Sequence, residues 1–246
     1  MKQYGLIGHP LSHTFSKKYF TEKFEREHIS DCSYDLFDIE NIALFPEILK
    51  NNPKLLGLNV TIPYKEKIIS YLTEIDEKAK EIGAVNTITI NQHTNQLKGY
   101  NTDYFGFKNS LKPFLENYHE RALILGTGGA SKTVAFVLKE LNIDCLLVSR
   151  NPQNNTEISY DDINEYVIKH HQLIINTTPI GMFPNEADFP SFNYNNLTSF
   201  HLLYDLIYNP TETAFIKKGK LQGCLTLNGM DMLKLQAEKA WEIWNS

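Results

Sequence analysis

Cysteine is scarce in this chain and scattered through it. The three thiols, Cys32, Cys145 and Cys224, stand at no metal-ligand or redox spacing. They predict free, buried sulfhydryls in a reducing compartment, and so a cytoplasmic protein without a resident metal. Long hydrophobic runs are missing too. No stretch approaches the roughly 18 apolar residues that cross a bilayer, so no membrane partner is expected. The apolar part of Met1 to Gly8 is too short for a signal peptide and reads as a first strand. Nor does charge of one sign dominate. Against 24 Lys and Arg stand 29 Asp and Glu, a formal charge of −5, which gives no electrostatic footprint for nucleic acid. Internal repeats and low-complexity tracts are absent as well.

What is present is an ordinary globular composition. The 246 residues are 42% hydrophobic, enough for one large domain or two smaller ones with full cores. Strands and helices alternate through the first hundred residues, which predicts an α/β unit with a mostly parallel sheet. Strands are expected over 4–8, 34–39, 55–61, 84–91 and 96–100, the last two as a hairpin around His93-Thr94-Asn95. Helices are expected over 16–27, with Tyr19, Phe20 and Phe24 on one face, and from Lys65 toward Leu72. The pattern changes near Asp103. A connecting helix over 104–115, kinked or stopped by Pro113, leads into a second α/β unit with strands over 123–125, 145–148, 173–176 and 202–205. The polar stretch Asn151 to Thr156 is a loop, followed by a shortened helix. A strong amphipathic helix closes the chain over 230–244, with Leu233, Ala237, Ala240 and Trp244 recurring on one face. It is expected to return to the first domain. That domain is then discontinuous, 1–102 plus 228–246, with a dinucleotide-binding domain over 103–227.

Glycines mark the second unit. Gly126-Thr127-Gly128-Gly129-Ala130-Ser131 follows an apolar strand and precedes the helix 132–141. Glycines at such a turn let the backbone approach a pyrophosphate, and the helix N-terminus offers free N–H groups. The strand-turn-helix context is what gives this motif its meaning. The next strand ends in Val148-Ser149-Arg150. NAD binders carry an acid near this place for the ribose hydroxyl. An arginine there suits a 2′-phosphate instead, which favours NADP.

Chemistry-bearing residues cluster in the first unit. Asn59-Val60-Thr61-Ile62-Pro63-Tyr64-Lys65 places Asn59 and Thr61 on one strand face and a lysine at the strand's end. The hydroxyls of Thr14 and Ser16 can share a direction and hold a carboxylate, or cap the helix that follows. His9 and His13 lack partners at useful spacing and read as structural. Gly83-Ala84-Val85-Asn86-Thr87 puts an amide at a strand start. Asn101-Thr102-Asp103 puts an acid at the hinge, either an N-cap or a partner for Lys65 in acid-base work.

Taken in order, these motifs resemble shikimate dehydrogenases. The series continues with Asn176-Thr177-Thr178-Pro179, Tyr204-Asp205, Tyr208, Pro210, Thr213 and Gly229-Met230-Asp231-Met232-Leu233, ending at Gln236, and it covers the chain from about residue 4 to the last helix. The resemblance implies a two-domain α/β fold, an N-terminal substrate domain plus a Rossmann-like doubly wound NADP domain. It implies NADPH-dependent, reversible reduction of 3-dehydroshikimate to shikimate, in the cytoplasm, by a monomer or homodimer. Lys65 and Asp103 would be the catalytic pair. Thr14 and Ser16, with Tyr208, would hold the substrate carboxylate. Asn59, Thr61, Asn86, Asp103 and Gln236 would hold the ring hydroxyls. The cofactor would lie against Gly126, Thr127, Gly128, Gly129, Ala130, Ser149, Arg150, Leu206 and Gly229.

Three positions depart from the family pattern. The usual first serine of the carboxylate site is Thr14, the usual Asn-Arg-Thr is Ser149-Arg150-Asn151, and the usual arginine after the glycine loop is Lys132. Two alternatives stand beside the main reading. One is a dehydrogenase that also accepts quinate, decided at Thr14. The other is a catalytically silent metabolite sensor, which would have little reason to keep both Lys65 and Asp103.

Overall fold

The structure, a computed structural model, describes residues 1–11 and 14–246, so His13 lies outside the described residues. The chain forms two compact units. The first comprises Met1–Asp103 with Gln236–Ser246, and the second Tyr104–Leu235.

The first unit begins β1 (Lys2–Gly8), α1 (Phe15–Arg26), β2 (Cys32–Asp38), α2 (Phe45–Asn51) and β3 (Leu55–Val60). It continues through a 3-10 helix (Lys67–Tyr71), β4 (Glu74–Ile75), α3 (Glu77–Ile82), β5 (Thr87–Asn91) and β6 (Gln96–Tyr100). Its six strands order as β2-β1-β3-β5-β6-β4. The sheet is mostly parallel, as expected, with the expected hairpin as its antiparallel part. β1 pairs parallel with β2 and β3, but β5 runs antiparallel to both β3 and β6, because the short link from β5 to β6 can only make a hairpin. Alternation along β1 divides the core. Ile7 joins Leu58, Val60 and Ile88 on one face. Tyr4 and Leu6 face α1 and the end of the C-terminal helix, among Phe20, Phe24, Ala240 and Trp244. Trp244 stacks on Tyr4, centroids 4.9 Å apart, and donates its indole N–H to the Ile88 carbonyl at 3.0 Å.

The second unit is doubly wound. Most of α4 (Thr102–Leu111) belongs to it. Then come β7 (Arg121–Leu125), α5 (Gly129–Glu140), β8 (Asp144–Val148), β9 (Glu157–Ile158) and α6 (Glu165–His170). β10 (Leu173–Asn176), β11 (Leu202–Asp205), α7 (Ala214–Leu221) and β12 (Leu225–Leu227) complete the sheet before the C-terminal helix (Met230–Trp244). The strand order is β12-β11-β10-β7-β8-β9, every pair parallel. Both faces are covered, as a parallel sheet requires. Ala122 and Ile124 pack with Val134 and Val137 of α5, while Leu123 and Leu125 pack with Ile168 and Phe215 on the other side. The chain leaves β7 toward β8 on one side and returns at β10 on the other. The loops after these strands therefore flank the switch point where doubly wound sheets bind ligands.

The predicted helix from Lys65 is a 3-10 helix that starts at Lys67 and ends at Tyr71, and Lys65 itself stands in the turn before it. Ahead of α6 the polar loop gives way to the two-residue β9 and a 3-10 turn at Tyr160–Asp162. Cys32, Cys145 and Cys224 are all free, the last buried. Among the described residues no helix is long and apolar enough to cross a membrane, and no cluster of His, Cys, Asp and Glu could hold a metal ion.

Candidate active site

Lys65 is held in place by its neighbours in the chain. Thr61 accepts from the Tyr64 amide at 2.9 Å, closing a turn after β3, and the Lys65 carbonyl accepts from the Val85 amide at 2.8 Å. Tyr64 anchors the turn from below. It is 2% exposed and donates its hydroxyl to the Ile39 carbonyl at 2.5 Å. The free end of Lys65 then meets Asp103, Nζ to Oδ2 at 2.6 Å, with both side chains partly open to solvent. Asp103 lies in the first turn of α4, where the helix dipole favours a negative charge.

Beside this pair runs a buried chain of hydrogen bonds. Asn86 accepts from the Thr102 amide at 2.6 Å, capping the start of α4. The hydroxyls of Thr87 and Thr102 lie 3.1 Å apart, and Thr102 Oγ1 donates to Gln236 Oε1 at 3.4 Å. Asn59 donates to Thr87 Oγ1 at 3.2 Å and to the Asn86 carbonyl at 3.4 Å, and accepts from the Tyr34 hydroxyl at 2.7 Å. Both ends of the Asn59 amide are thus engaged within the fold, and it is 5% exposed. This differs from the expectation of an amide free to hold a ring hydroxyl. Asn59 fixes the wall formed by Asn86 and Thr87.

The hydroxyl pair falls at the start of α1. Thr14 occupies the N-cap position, yet its side chain makes no capping bond. Its Oγ1 is buried with no partner among the described residues. A buried hydroxyl without a hydrogen bond is costly, and this one is not consumed by the helix end. Ser16 hydrogen-bonds the Tyr34 phenol, which burial holds far above its ordinary pKa. Tyr34 therefore joins Ser16 to Asn59, a link that sequence reasoning missed because a tyrosine in an alternating strand reads as core. Of the two histidines read as structural, His9 meets Asp38 through Nδ1 at 2.7 Å.

The second unit supplies a pocket of about 520 Å³ at the carboxyl ends of β7, β8 and β10. Gly126, Thr127, Gly128, Ser149 and Arg150 line it, and Gly129 and Ala130 open α5. Gly126 has φ +107°, and a Cβ there would lie 2.9 Å from both Thr177 Oγ1 and Thr178 Cγ2. Position 126 therefore requires glycine on two counts. Leu206 and Gly229 are not among the lining residues. They face each other instead, since a Cβ on Gly229 would sit 2.0 Å from the Leu206 carbonyl oxygen. Tyr208 also belongs to this unit, and burial raises its phenol above its ordinary value. Thr177, Thr178, Pro179 and Ile180 form a wall of the pocket, and Tyr160 lines it near Arg150. The motif Asn176-Thr177-Thr178-Pro179 carries the signal for that wall; nothing in the local sequence marks Tyr160.

Comparison with known proteins decides what this arrangement belongs to. A shikimate dehydrogenase (NADP+) of Clostridium beijerinckii is 41% identical over 99% of this chain and 92% of its own length. The chain belongs to the shikimate dehydrogenase family. The family model for the shikimate dehydrogenase substrate-binding domain matches residues 6–88, which carry Thr14, Ser16, Asn59, Thr61, Lys65 and Asn86. Among solved structures, a chorismate mutase/shikimate 5-dehydrogenase fusion protein from Clostridium acetobutylicum superposes with TM-score 0.88 at 38% identity, over 100% of this chain and 91% of that one. The shikimate 5-dehydrogenase of Thermus thermophilus, solved with NADP(H) and shikimate, gives TM-score 0.86 at 28% identity, over 99% and 93% of the two chains. The family's Rossmann-like domain is the second unit described above.

Proposed function

We infer that the protein is an NADP-dependent shikimate dehydrogenase, interconverting 3-dehydroshikimate and shikimate. The observation that carries this reading is the Lys65–Asp103 pair at 2.6 Å, standing beside a cluster of side-chain amides and hydroxyls suited to a polyhydroxylated ring. The pocket of the second unit fits the dinucleotide. Its glycine turn excludes a Cβ at Gly126, a helix N-terminus opens behind it, and Arg150 lies on its lining without an acid beside it. When bound, the nicotinamide supplies the hydride to the carbonyl carbon.

The residues of this chain do the rest. Lys65 gives a proton from Nζ to the oxygen that becomes the new hydroxyl, and takes it back in the oxidative direction. Asp103 orients the ammonium group through Oδ2 and keeps it aimed at one place. The Thr14 and Ser16 hydroxyls receive the substrate carboxylate at the start of α1, where the helix end also favours an anion. Thr61, Asn86 and Gln236 bind ring hydroxyls, and Asn59 steadies Asn86 from behind. In the second unit, the amides at the start of α5 receive the pyrophosphate, and Arg150 receives the 2′-phosphate.

Absorbance of the reduced cofactor at 340 nm, followed during shikimate oxidation with NADP+ and NAD+ and repeated with quinate, tests the whole reading. Shikimate turnover with NADP+ far above NAD+ is the expected result. Comparable quinate turnover would move the protein to the dual-specificity branch. Absence of turnover with every pair would refute the enzymatic reading.

A further inference from the structure

Asp205 ends β11 with no exposed surface. Buried carboxylates are normally paired with a cation. Its partners are instead three neutral donors: Thr213 Oγ1 at 2.6 Å, the Ile207 amide at 3.0 Å and Asn176 Nδ2 at 3.0 Å. The arrangement continues beyond Asn176. Asn176 Oδ1 accepts from the Thr178 amide at 3.0 Å and from Thr178 Oγ1 at 2.6 Å. Thr178 Oγ1 in turn accepts from the Ile180 amide at 3.2 Å. These residues line the pocket together with Arg150, and Thr177 and Thr178 carry the atoms a Cβ on Gly126 would strike. The carboxylate of Asp205 therefore decides which way the Asn176 amide faces, and Asn176 decides where Thr178 and Ile180 stand.

We propose that Asp205 is a positioning residue for the dinucleotide pocket, holding the Thr177–Ile180 wall through Asn176 and Thr178, and that its protonation loosens that wall. The inference rests on the reading of this pocket as the cofactor site. Burial raises the Asp205 carboxyl from its ordinary 3.8 to about 6, against the opposing pull of its three donors. A neutral carboxyl accepts weaker hydrogen bonds than a carboxylate. Thr213 faces Oδ2 and its hydroxyl can turn round to accept a proton placed there, whereas Asn176 and Ile207 share Oδ1, which protonation leaves a weaker acceptor. Protonation therefore falls on the hold over Asn176.

Few other titratable groups face this carboxyl. Tyr194 feels its charge, and Lys218 of α7 lies over the Tyr194 ring at 5.4 Å. Glu212, beside Thr213, is paired with Lys220. β10 and β12 contain no ionisable side chain. Among the described lining residues of the pocket, the ionisable side chains are Arg150 and Tyr160, and burial raises the Tyr160 phenol.

The test uses ADP-ribose, whose pyrophosphate keeps its charge across the range and which cannot be turned over. Its binding to the full chain is measured by calorimetry from pH 5 to 8, for wild type and Asp205→Asn. The wild type is expected to lose affinity by roughly fivefold or more on the acid side, a usual size for coupling between two sites. The variant is expected to bind weakly throughout, with a flat profile. A flat wild-type profile, or an unchanged slope in the variant, overturns the proposal. If the variant does not fold, backbone amide NMR of the wild type decides. Thr178 and Ile180 are expected to shift together with a midpoint near pH 6, and no inflection between pH 5 and 7 overturns the proposal. Wild type that fails to bind ADP-ribose at any pH overturns the reading of the pocket, and the inference with it. Binding without pH dependence overturns the inference alone.

Discussion

Single atoms carry the chemistry, and single substitutions should show it. Removing the ammonium in Lys65→Ala or the carboxylate in Asp103→Ala is expected to lower kcat by a factor on the order of 10² to 10⁴, the usual contribution of a positioned proton donor or its partner. Near-wild-type turnover in either variant, in the 340 nm assay, would sink the assignment. Arg150→Ala separates the two cofactors. A hydrogen bond to a charged group contributes about 1.5–3 kcal/mol, so the KM for NADP+ should rise roughly tenfold to a hundredfold while that for NAD+ stays near its starting value. Equal shifts for both cofactors would assign Arg150 to a part of the nucleotide they share. Thr14 shows how local sequence can leave a residue ambiguous. Its local sequence fits a helix cap and a ligand contact equally well. Only the missing capping bond and the buried, unpartnered hydroxyl distinguish them.

At the scale of elements, Trp244 is a principal anchor of the end of the C-terminal helix. A Cβ added at Gly57 would lie 2.3 Å from Trp244 Nε1, so the indole fills the space over β3 that glycine leaves. Trp244→Ala is expected to cost about 3–5 kcal/mol, as large-to-small core changes do. Gly57→Ala is expected to cost about 1–3 kcal/mol by overpacking. Urea unfolding with an unchanged slope would check both. A Gly57→Ala variant as stable as wild type would show that the indole can move aside. This helix was legible from its 3.6-residue pattern, and so were β7, β8, β10 and β11, whose unbroken apolar runs are what a sheet covered on both faces demands. The pairing of β5 with β3 and the 3-10 character of 67–71 were not legible. Both depend on pairing with distant partners, Thr87 with Asn59 and Thr73 with Leu97, which local periodicity does not encode. The short strands β4, β9 and β12 escaped for the same reason, being too brief to alternate. In the site, the motif residues were visible, but Tyr34 was not, nor were the parts that Thr102 and Asp205 play within their motifs. These three residues look like core, cap and strand end until the hydrogen bonds are drawn.

For the molecule as a whole, stability against pH follows from which form of each acid the fold prefers. Asp205 is raised from 3.8 to about 6, so the fold favours its neutral form. Its contribution is complete below the unfolded value and is lost as pH rises through about 6. Glu27 and Asp162, lowered by hydrogen bonds from Lys23 and Ser159, work in the opposite sense and lose their contributions as pH falls. The thermal midpoint of wild type relative to Asp205→Asn should therefore decrease between pH 4 and 7, measured by circular dichroism. A constant difference would show that Asp205 does not titrate in that window. The distribution of indole rings has a spectroscopic consequence. The chain has two tryptophans, Trp241 and Trp244, and both sit in the Gln236–Ser246 segment of the first unit. Emission excited at about 295 nm therefore watches one half of the polypeptide and is blind to the other. Fluorescence and ellipticity melts that coincide would mark a single cooperative transition; curves that part would give each half its own melting temperature without any label.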